Sequence, residues 1–538
     1  LRRLHDHLYF PPRRWSLYGI TMTDRPTVAV VGAGFSGVLT ALRLLLNPDG
    51  PRVTLIEKGP RFGRGAAYST GNPGHLLNVR ATNMSALVEQ PNHFLDWLGA
   101  AGVAAPEQVF VTRDRYGQYL QSLLREAASD RTSGRLTLEH DEVTELAREG
   151  DGWRLGLAMG RSLTADAVVL ALGNLPPPSP EGLDPALARS ERYVADPWAW
   201  VAPSGGGGGE ALILGTGLTA VDIALSIDAA QPHTPMTALS RHGLLPRIHG
   251  EASPAAALPG APSGRPEAVL SQIRQSARID WRGAIDSVRP HVQGIWRGWS
   301  LAERRRFLRH LAPWWNIHRH RLAPEVAAKI DELRRSGRLT VAAGRVERMT
   351  LDRGGVEVTW TPRGETTVRV RHVEQVINCT GSRGDLAHAD TPLLASLLAA
   401  GLVRPDACGL GVDVDIRSRV IGATGEPADS LFAVGPLTRG QFYEITSVPD
   451  IRLQAADCAD SILSRLTLKG RAGSTPGPER LTDELAAFLR EAMAELDVEL
   501  GSLKFARRMR NAWELRGRRA AFDEIALWLD ERRAPPKR

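Results

Sequence analysis

Two short apolar runs, "TVAVV" from Thr27 and "ALIL" from Ala211, each lead through a glycine turn into residues with helical apolar spacing, "FSGVLTALRLL" and "LTAVDIAL". An unbroken apolar run suits a parallel strand covered on both faces, and the spacing that follows suits a helix packed upon it. The segments "RVTLIEKG" and "MTALSRHG" then close two βαβ units. Helical patterns follow around "NHFLDWLGA" and "RDRYGQYLQSLLREAASD", and alternating strands run from about Leu136 to Leu172. The break "LPPPSPEGLDP" and the lead-in "VAPSGGGGGE" separate the two units. From about Gly250 to Val341 the chain is Pro/Gly-rich, then helical, with many arginines and tryptophans. Strands are predicted again at "RLTVAAGRVERMTL", "GVEVTWT" and "HVEQVINCTG", and the tail from about Thr475 is charged, amphipathic and helical.

The pattern predicts an α/β fold with two Rossmann-like dinucleotide-binding domains, a helical insert and a C-terminal helical tail. A length of 538 residues requires more than one core. Residues 1–21 lack the apolar core of a secretory signal and are read as a leader or extension, with "MTDRPTVAVVGAG" a natural start. No window approaches ~18 uninterrupted apolar residues, so no membrane span is expected. The three cysteines, Cys379, Cys408 and Cys458, form neither a CxxC pair nor a metal-ligand spacing. No metal site is therefore expected, and a reducing cytoplasm is the default location. The formal charge of +7 is spread along the chain without a nucleic-acid motif, so no nucleic-acid partner is expected.

A glycine fingerprint is informative only in context. In the first unit Gly32 permits the tight turn, Gly34 lets backbone approach a pyrophosphate, and Gly37 lets helix pack on strand. About twenty residues on, Glu57, with Lys58 beside it, ends the next strand where a carboxylate accepts from ribose hydroxyls. The second unit carries Gly215, Gly217 and Ala220, but its strand ends in Ser240 and Arg241. A carboxylate would repel a ribose 2′-phosphate, whereas an Arg fork would hold it. The pairing points to FAD in the first cradle and NADPH in the second.

The stretches "VAVVGAGFSG", "VTLIEKGPRFGRGAAYSTGNPGHLLNV", "FLRHLAPWWNIHRHRLAP" and "LFAVGPLTRGQFYEITSVPDIR" resemble a bacterial FAD/NAD(P)-binding protein family. That family is related to two-dinucleotide flavoprotein monooxygenases, including N-hydroxylating ones. The resemblance implies an NADPH domain inserted into a discontinuous FAD domain. The FAD domain would cover 22–203 and resume over 374–470, with the NADPH domain over 204–373 and the insert at about 250–341. Residues 471–538 would form the helical tail. Gly173 and Gly381 would mark the two crossings between domains. Gly435 would let backbone approach the flavin, and the helix starting near Asp450 and Ile451 would aim its N-terminus at the flavin carbonyls.

A disulfide reductase needs a redox-active Cys pair, which this chain lacks. The resemblance implies a C4a-(hydro)peroxyflavin route, with dioxygen as co-substrate and Asn78 as the catalytic, flavin-proximal amide; His75 is a further candidate for the pocket lining. Arg80, Arg289, His318 and Arg321 are the candidate substrate contacts, since Arg suits a carboxylate. The expected substrate is an amino acid or similar carboxylated amine, with oxidation of aspartate to nitrosuccinate one version. The FxGxxxHxxxW/Y fingerprint of class B monooxygenases is replaced by "YVADPWAW", which weakens a Baeyer–Villiger reading. Two alternatives stay open: an FAD-dependent NADPH dehydrogenase that transfers no oxygen, and a non-catalytic flavin-bound redox sensor. A homo-oligomer is also left open.

Overall fold

The structure, a computed structural model, describes residues 25–129, 134–203, 208–382, 384, 386 and 391–472. The leader, residues 204–207 of the glycine-rich lead-in and the tail beyond Ala472 lie outside the described residues. The chain divides into two compact units, Leu1–Leu463 and Ser464–Arg538.

The run Thr27–Val31 is a central strand, buried from Val28 onward. It pairs in parallel with Arg52–Glu57 on one side and Ala167–Leu170 on the other. Leu136–His140 extends the sheet at one edge, and Pro427–Ala433 then Arg419–Ile421 at the other. The helix Phe35–Leu46 crosses back over it, burying Phe35, Val38, Leu39 and Leu44. Phe94, Tyr116, Tyr119 and Leu120 from the following helices join the same core. A three-stranded antiparallel meander, Val143–Glu149, Gly152–Leu157 and Ser162–Ala165, precedes the strand Ala167–Leu170.

The second sheet runs in the order Arg369–Val373, Gly355–Pro362, Leu339–Asp352, Met236–Ser240, Ala211–Leu214, Gln375–Asn378, Tyr193–Val194. Its last five strands are parallel and the first two antiparallel additions. Its strands fall in sequence between Ala167–Leu170 and Arg419–Ile421 of the first sheet. Two assignments need correction. Gln375–Asn378 and Tyr193–Val194 join this second sheet, with Ile377 opposite Ile213 and Val194, whereas the sequence reading placed them with the first. An apolar run such as "VIN" suits the centre of either sheet, and nothing local to it selects the partner.

The insert comprises the helices Pro266–Ala277, Trp281–Val288, Val292–Gly298, Leu301–His310, Ala312–Arg319 and Pro324–Arg335. Its tryptophans are anchors. Trp296 is buried, stacks on Tyr443 with centroids 4.5 Å apart and donates Nε1 to Gly440 O at 2.8 Å. Trp299 and Phe307 complete this aromatic cluster. The insert is thereby fixed to the loop 435–447, which follows the first sheet's strand Pro427–Ala433.

Candidate functional site: two nucleotide cradles and a cationic cleft

The two glycine turns share one construction. Gly32 adopts φ 101° and its N–H donates to Ile56 O at 2.8 Å; a Cβ there would run into Ala171 O. Gly215 adopts φ 115°, donates to Leu239 O at 2.7 Å and lies equally close to Cys379 O. Each turn is thus pressed against the chain leaving a neighbouring parallel strand. A Cβ on Gly37 would meet Gly32 O, whereas Ala220, buried in the second cradle, carries one without difficulty. Gly173 and Gly381 follow those neighbouring strands at φ 73° and 80°, with open space where a Cβ would lie.

Gly34 and Gly217 are the N-caps of the helices Phe35–Leu46 and Leu218–Ala230, and neither helix has a side-chain cap. First-turn N–H groups left in this way suit phosphate oxygens. Gly34 faces Gly65, so the approach to the first cradle is bare backbone. Glu57 accepts from Ala33 N and Gly59 N, both at 2.8 Å, one on each carboxylate oxygen. Lys58 is exposed and pairs with Glu142 at 3.0 Å, which directs its charge to the protein surface and away from a cofactor role. Gly435, at φ 76°, sits directly on Ser36 in the first turn of Phe35–Leu46. Gln454, which the sequence reading passed over, accepts from Gly435 N at 2.8 Å and donates to Thr438 Oγ1 at 2.9 Å. Bare backbone at Gly34 and Gly65, an uncapped helix start and a carboxylate at the end of the next strand are features that fit FAD.

At the second cradle Ser240 Oγ lies 2.9 Å from Thr216 Oγ1 and accepts from Gly243 N at 3.0 Å. Its hydroxyl organises the turn, and Arg241, the next residue, is exposed. His242 is held below its ordinary pKa by burial and by the positive charges of Arg363 and Arg241. Arg363, another residue the sequence reading missed, therefore brings a second guanidinium to this end of the strand. The concentration of positive charge fits a 2′-phosphate, hence NADPH.

The loop between the cradles is locked to the second domain. His75 is buried, with Nδ1 2.8 Å from Thr70 Oγ1 and Nε2 2.7 Å from Asp222 O on the helix Leu218–Ala230. The carbonyl requires a proton on Nε2, so Nδ1 accepts from the threonine. Burial lowers the pKa of this imidazole, which favours that neutral form. Beside it Arg113 and Asp222 form a buried ion pair at 3.0 Å. His75 is thus a joint between domains and not a wall of the pocket. Asn78 is half-buried; its carbonyl accepts from His249 Nε2 at 2.9 Å, and its side-chain amide has no partner among the described residues.

The candidate substrate contacts divide. Arg321 is buried and bidentate to Asp286 at 3.1 and 2.8 Å, donates Nε to His318 O, and lies 5.0 Å from the Trp281 ring. His318 has Nδ1 2.8 Å from Trp314 O and packs edge-on against the Trp281 ring. Both are packing residues of the insert, contrary to the sequence reading, because Asp286, Trp281 and the carbonyls of His318 and Trp314 take up their polar groups and faces. Arg80 is exposed, and its charge reaches His249. Arg289 is half-buried, with NH2 3.3 Å from Ser447 Oγ and 3.9 Å from Asp450 Oδ2.

The helix Val448–Ala472 begins two residues before Asp450. The Asp450 carboxylate hydrogen-bonds Ser447 Oγ, and Ile451 is buried in the core of the first domain. The first turn therefore carries its own carboxylate, and Ile451 contributes packing. Among the described residues no set of three or more His, Cys, Asp or Glu side chains is placed to hold a metal. No described helix is long and apolar enough to cross a membrane.

The fold and the two cradles define a dinucleotide-binding flavoprotein architecture, and comparison with known proteins agrees. Residues 29–175 match the family model described as FAD-NAD(P)-binding. A Baeyer-Villiger monooxygenase of Streptomyces coelicolor (strain ATCC BAA-471 / A3(2) / M145) is 28% identical over 222 residues, 39% of this chain and 34% of that protein. The matched region thus spans about a third of that curated relative's length. Among solved structures, the ornithine N-hydroxylase of Kutzneria sp. 744 superposes with a TM-score of 0.58 at 16% identity, covering 82% of this chain and 99% of that one. The ornithine hydroxylase of Pseudomonas aeruginosa gives 0.57 at 17%, and the L-lysine 6-monooxygenase of Pseudomonas syringae 0.55 at 17%, each with the same coverages. At these identities the likeness is one of fold.

Proposed function

We propose that this chain is an NADPH-dependent FAD monooxygenase that oxygenates the nitrogen of a carboxylated amine, such as an amino acid. The observation that carries the reading is the junction of the two unlike cradles. The loop leaving the FAD cradle, through His75, packs on the very helix that opens the NADPH cradle. The relatives named as monooxygenases and N-hydroxylases support the same reaction class.

FAD, when bound, supplies the two-electron and dioxygen chemistry. The chain's own part is positioning, because hydride transfer from a nicotinamide depends on approach and alignment more than on acid–base groups. The uncapped N-termini at Gly34 and Gly217 hold the two pyrophosphates, and Arg241 selects the 2′-phosphate. The Asn78 amide, without a partner among the described residues, orients groups at the junction. The insert, seated through Trp296 and Tyr443, keeps water from it.

Purified protein should carry bound flavin and consume NADPH faster when a suitable amino acid is added, with aspartate among those screened. Labelled oxygen from dioxygen should appear in the product. Stimulation that persists without oxygen, using another acceptor and leaving the product unlabelled, would establish a dehydrogenase instead. The Streptomyces coelicolor relative favours a second reading, oxygen insertion beside a carbonyl, and a ketone panel in the same assay separates the two.

A further inference from the structure

The loop 435–447 leaves the FAD cradle at Gly435 and ends at the helix Val448–Ala472. Midway along it, Glu444 is buried at φ 71°, a left-handed conformation that is costly for a glutamate. Its carboxylate accepts from Trp315 Nε1 at 2.7 Å and faces Arg319 Nε at 3.0 Å. The Arg319 side chain is only 9% exposed, yet its Nε and NH2 atoms have no aligned hydrogen-bond partner. Arg439, on the same loop, reaches Ser382 O only at 3.5 Å, and Arg289 touches Ser447 and Asp450 loosely.

Among the described residues three guanidinium groups here face two carboxylates, Glu444 and Asp450, and the His320 ring lies 3.9 Å from Glu444. The nearby Asp286 is already committed to Arg321. Half-buried like charges without full compensation repel one another, and an added anion relieves that repulsion. The pKa of Arg289 is accordingly depressed, by burial first and then by Arg319. Guanidinium forks match the geometry of a carboxylate.

We propose that Arg289, Arg319 and Arg439 form a carboxylate-binding subsite, built against Glu444 and beside the first turn of the helix Val448–Ala472. It rests on the monooxygenase reading only in taking the bound carboxylate to be the substrate's. Glu444 holds Arg319 in place while the subsite is empty. Arg289 and Arg439, with the weaker protein contacts, turn to the ligand. The ligand class is a small carboxylate, with the amine to be oxidised at its other end.

The test is calorimetric titration of the FAD-loaded full chain with succinate, and with succinamide as its neutral counterpart. Succinate should bind and succinamide should not. Arg289→Met and Arg439→Met should each weaken succinate at least tenfold, with NADP⁺ affinity reporting that the fold survives. Should either variant fail to fold, Arg289→Gln and Arg439→Gln are to weaken it likewise. Failure of succinate to bind, equal binding of succinamide, or unchanged affinity in either variant overturns the proposal. The titration needs neither NADPH nor turnover, so a failed oxygenation assay beside a positive titration removes the monooxygenase reading and leaves the subsite standing.

Discussion

His75 bonds the backbone carbonyl of Asp222 across the domain junction at 2.7 Å, and can do so while bonding Thr70 only with its proton on Nε2. Burial has lowered its pKa from the ordinary 6.5. The unfolded chain therefore takes up this proton at a higher pH than the folded one. The stability linked to His75 is complete above that ordinary value and is lost as pH falls below it towards the depressed one. Thermal unfolding measured between neutral pH and pH ~5 should show this acid loss, and His75→Gln should make it shallower. His249 and His320 are depressed in the same direction, so part of the loss should remain. An unchanged slope in the variant would show that the imidazole does not titrate on unfolding.

Arg113 and Asp222 are both nearly buried, which makes removal of one partner costly. Asp222→Ala should lower stability by about 3–5 kcal/mol, because an isolated guanidinium is left in the interior. Arg113→Met with Asp222→Ala should recover part of that loss. Denaturant unfolding of the single and double variants gives the coupling directly.

Gly435 lies where a Cβ would enter Ser36. Gly435→Ala should destabilise by about 1–3 kcal/mol and reduce retained flavin, since relief of the clash must move the cradle helix. The ratio of flavin to protein absorbance after gel filtration reports the second effect. Full flavin content at unchanged melting temperature would place the cofactor elsewhere.

Arg241 is exposed at the end of Met236–Ser240. Arg241→Ala should raise the KM for NADPH about tenfold through loss of a charge-assisted contact, and leave the KM for NADH nearly unchanged. Steady-state kinetics with both nucleotides decides it. Equal use of the two by the unaltered chain would remove the 2′-phosphate assignment.

Arg321 offers a contrast with Arg289. Its side chain is 4% exposed and doubly bonded to Asp286. Arg321→Met should lower the melting temperature while changing substrate KM less than threefold or so, as expected of a group spent on packing. A large KM change at unaltered stability would return it to the site.

The sequence determined the cradles. Gly32, Gly34 and Gly37 lie within one turn and one helix, so the backbone geometry required of each could be read from neighbours in the chain. The helical character of the insert was legible for the same reason, through local spacing. Which sheet receives Gln375–Asn378 was not, because pairing depends on Ala211–Leu214, more than 150 residues away. Nor could the sequence separate Arg289 from Arg321, two arginines in one Arg/Trp-rich stretch. Only the folded chain brings Asp286 against one of them and leaves the other beside Asp450 and the Glu444 loop, where charge, burial and distance decide what a guanidinium is free to bind.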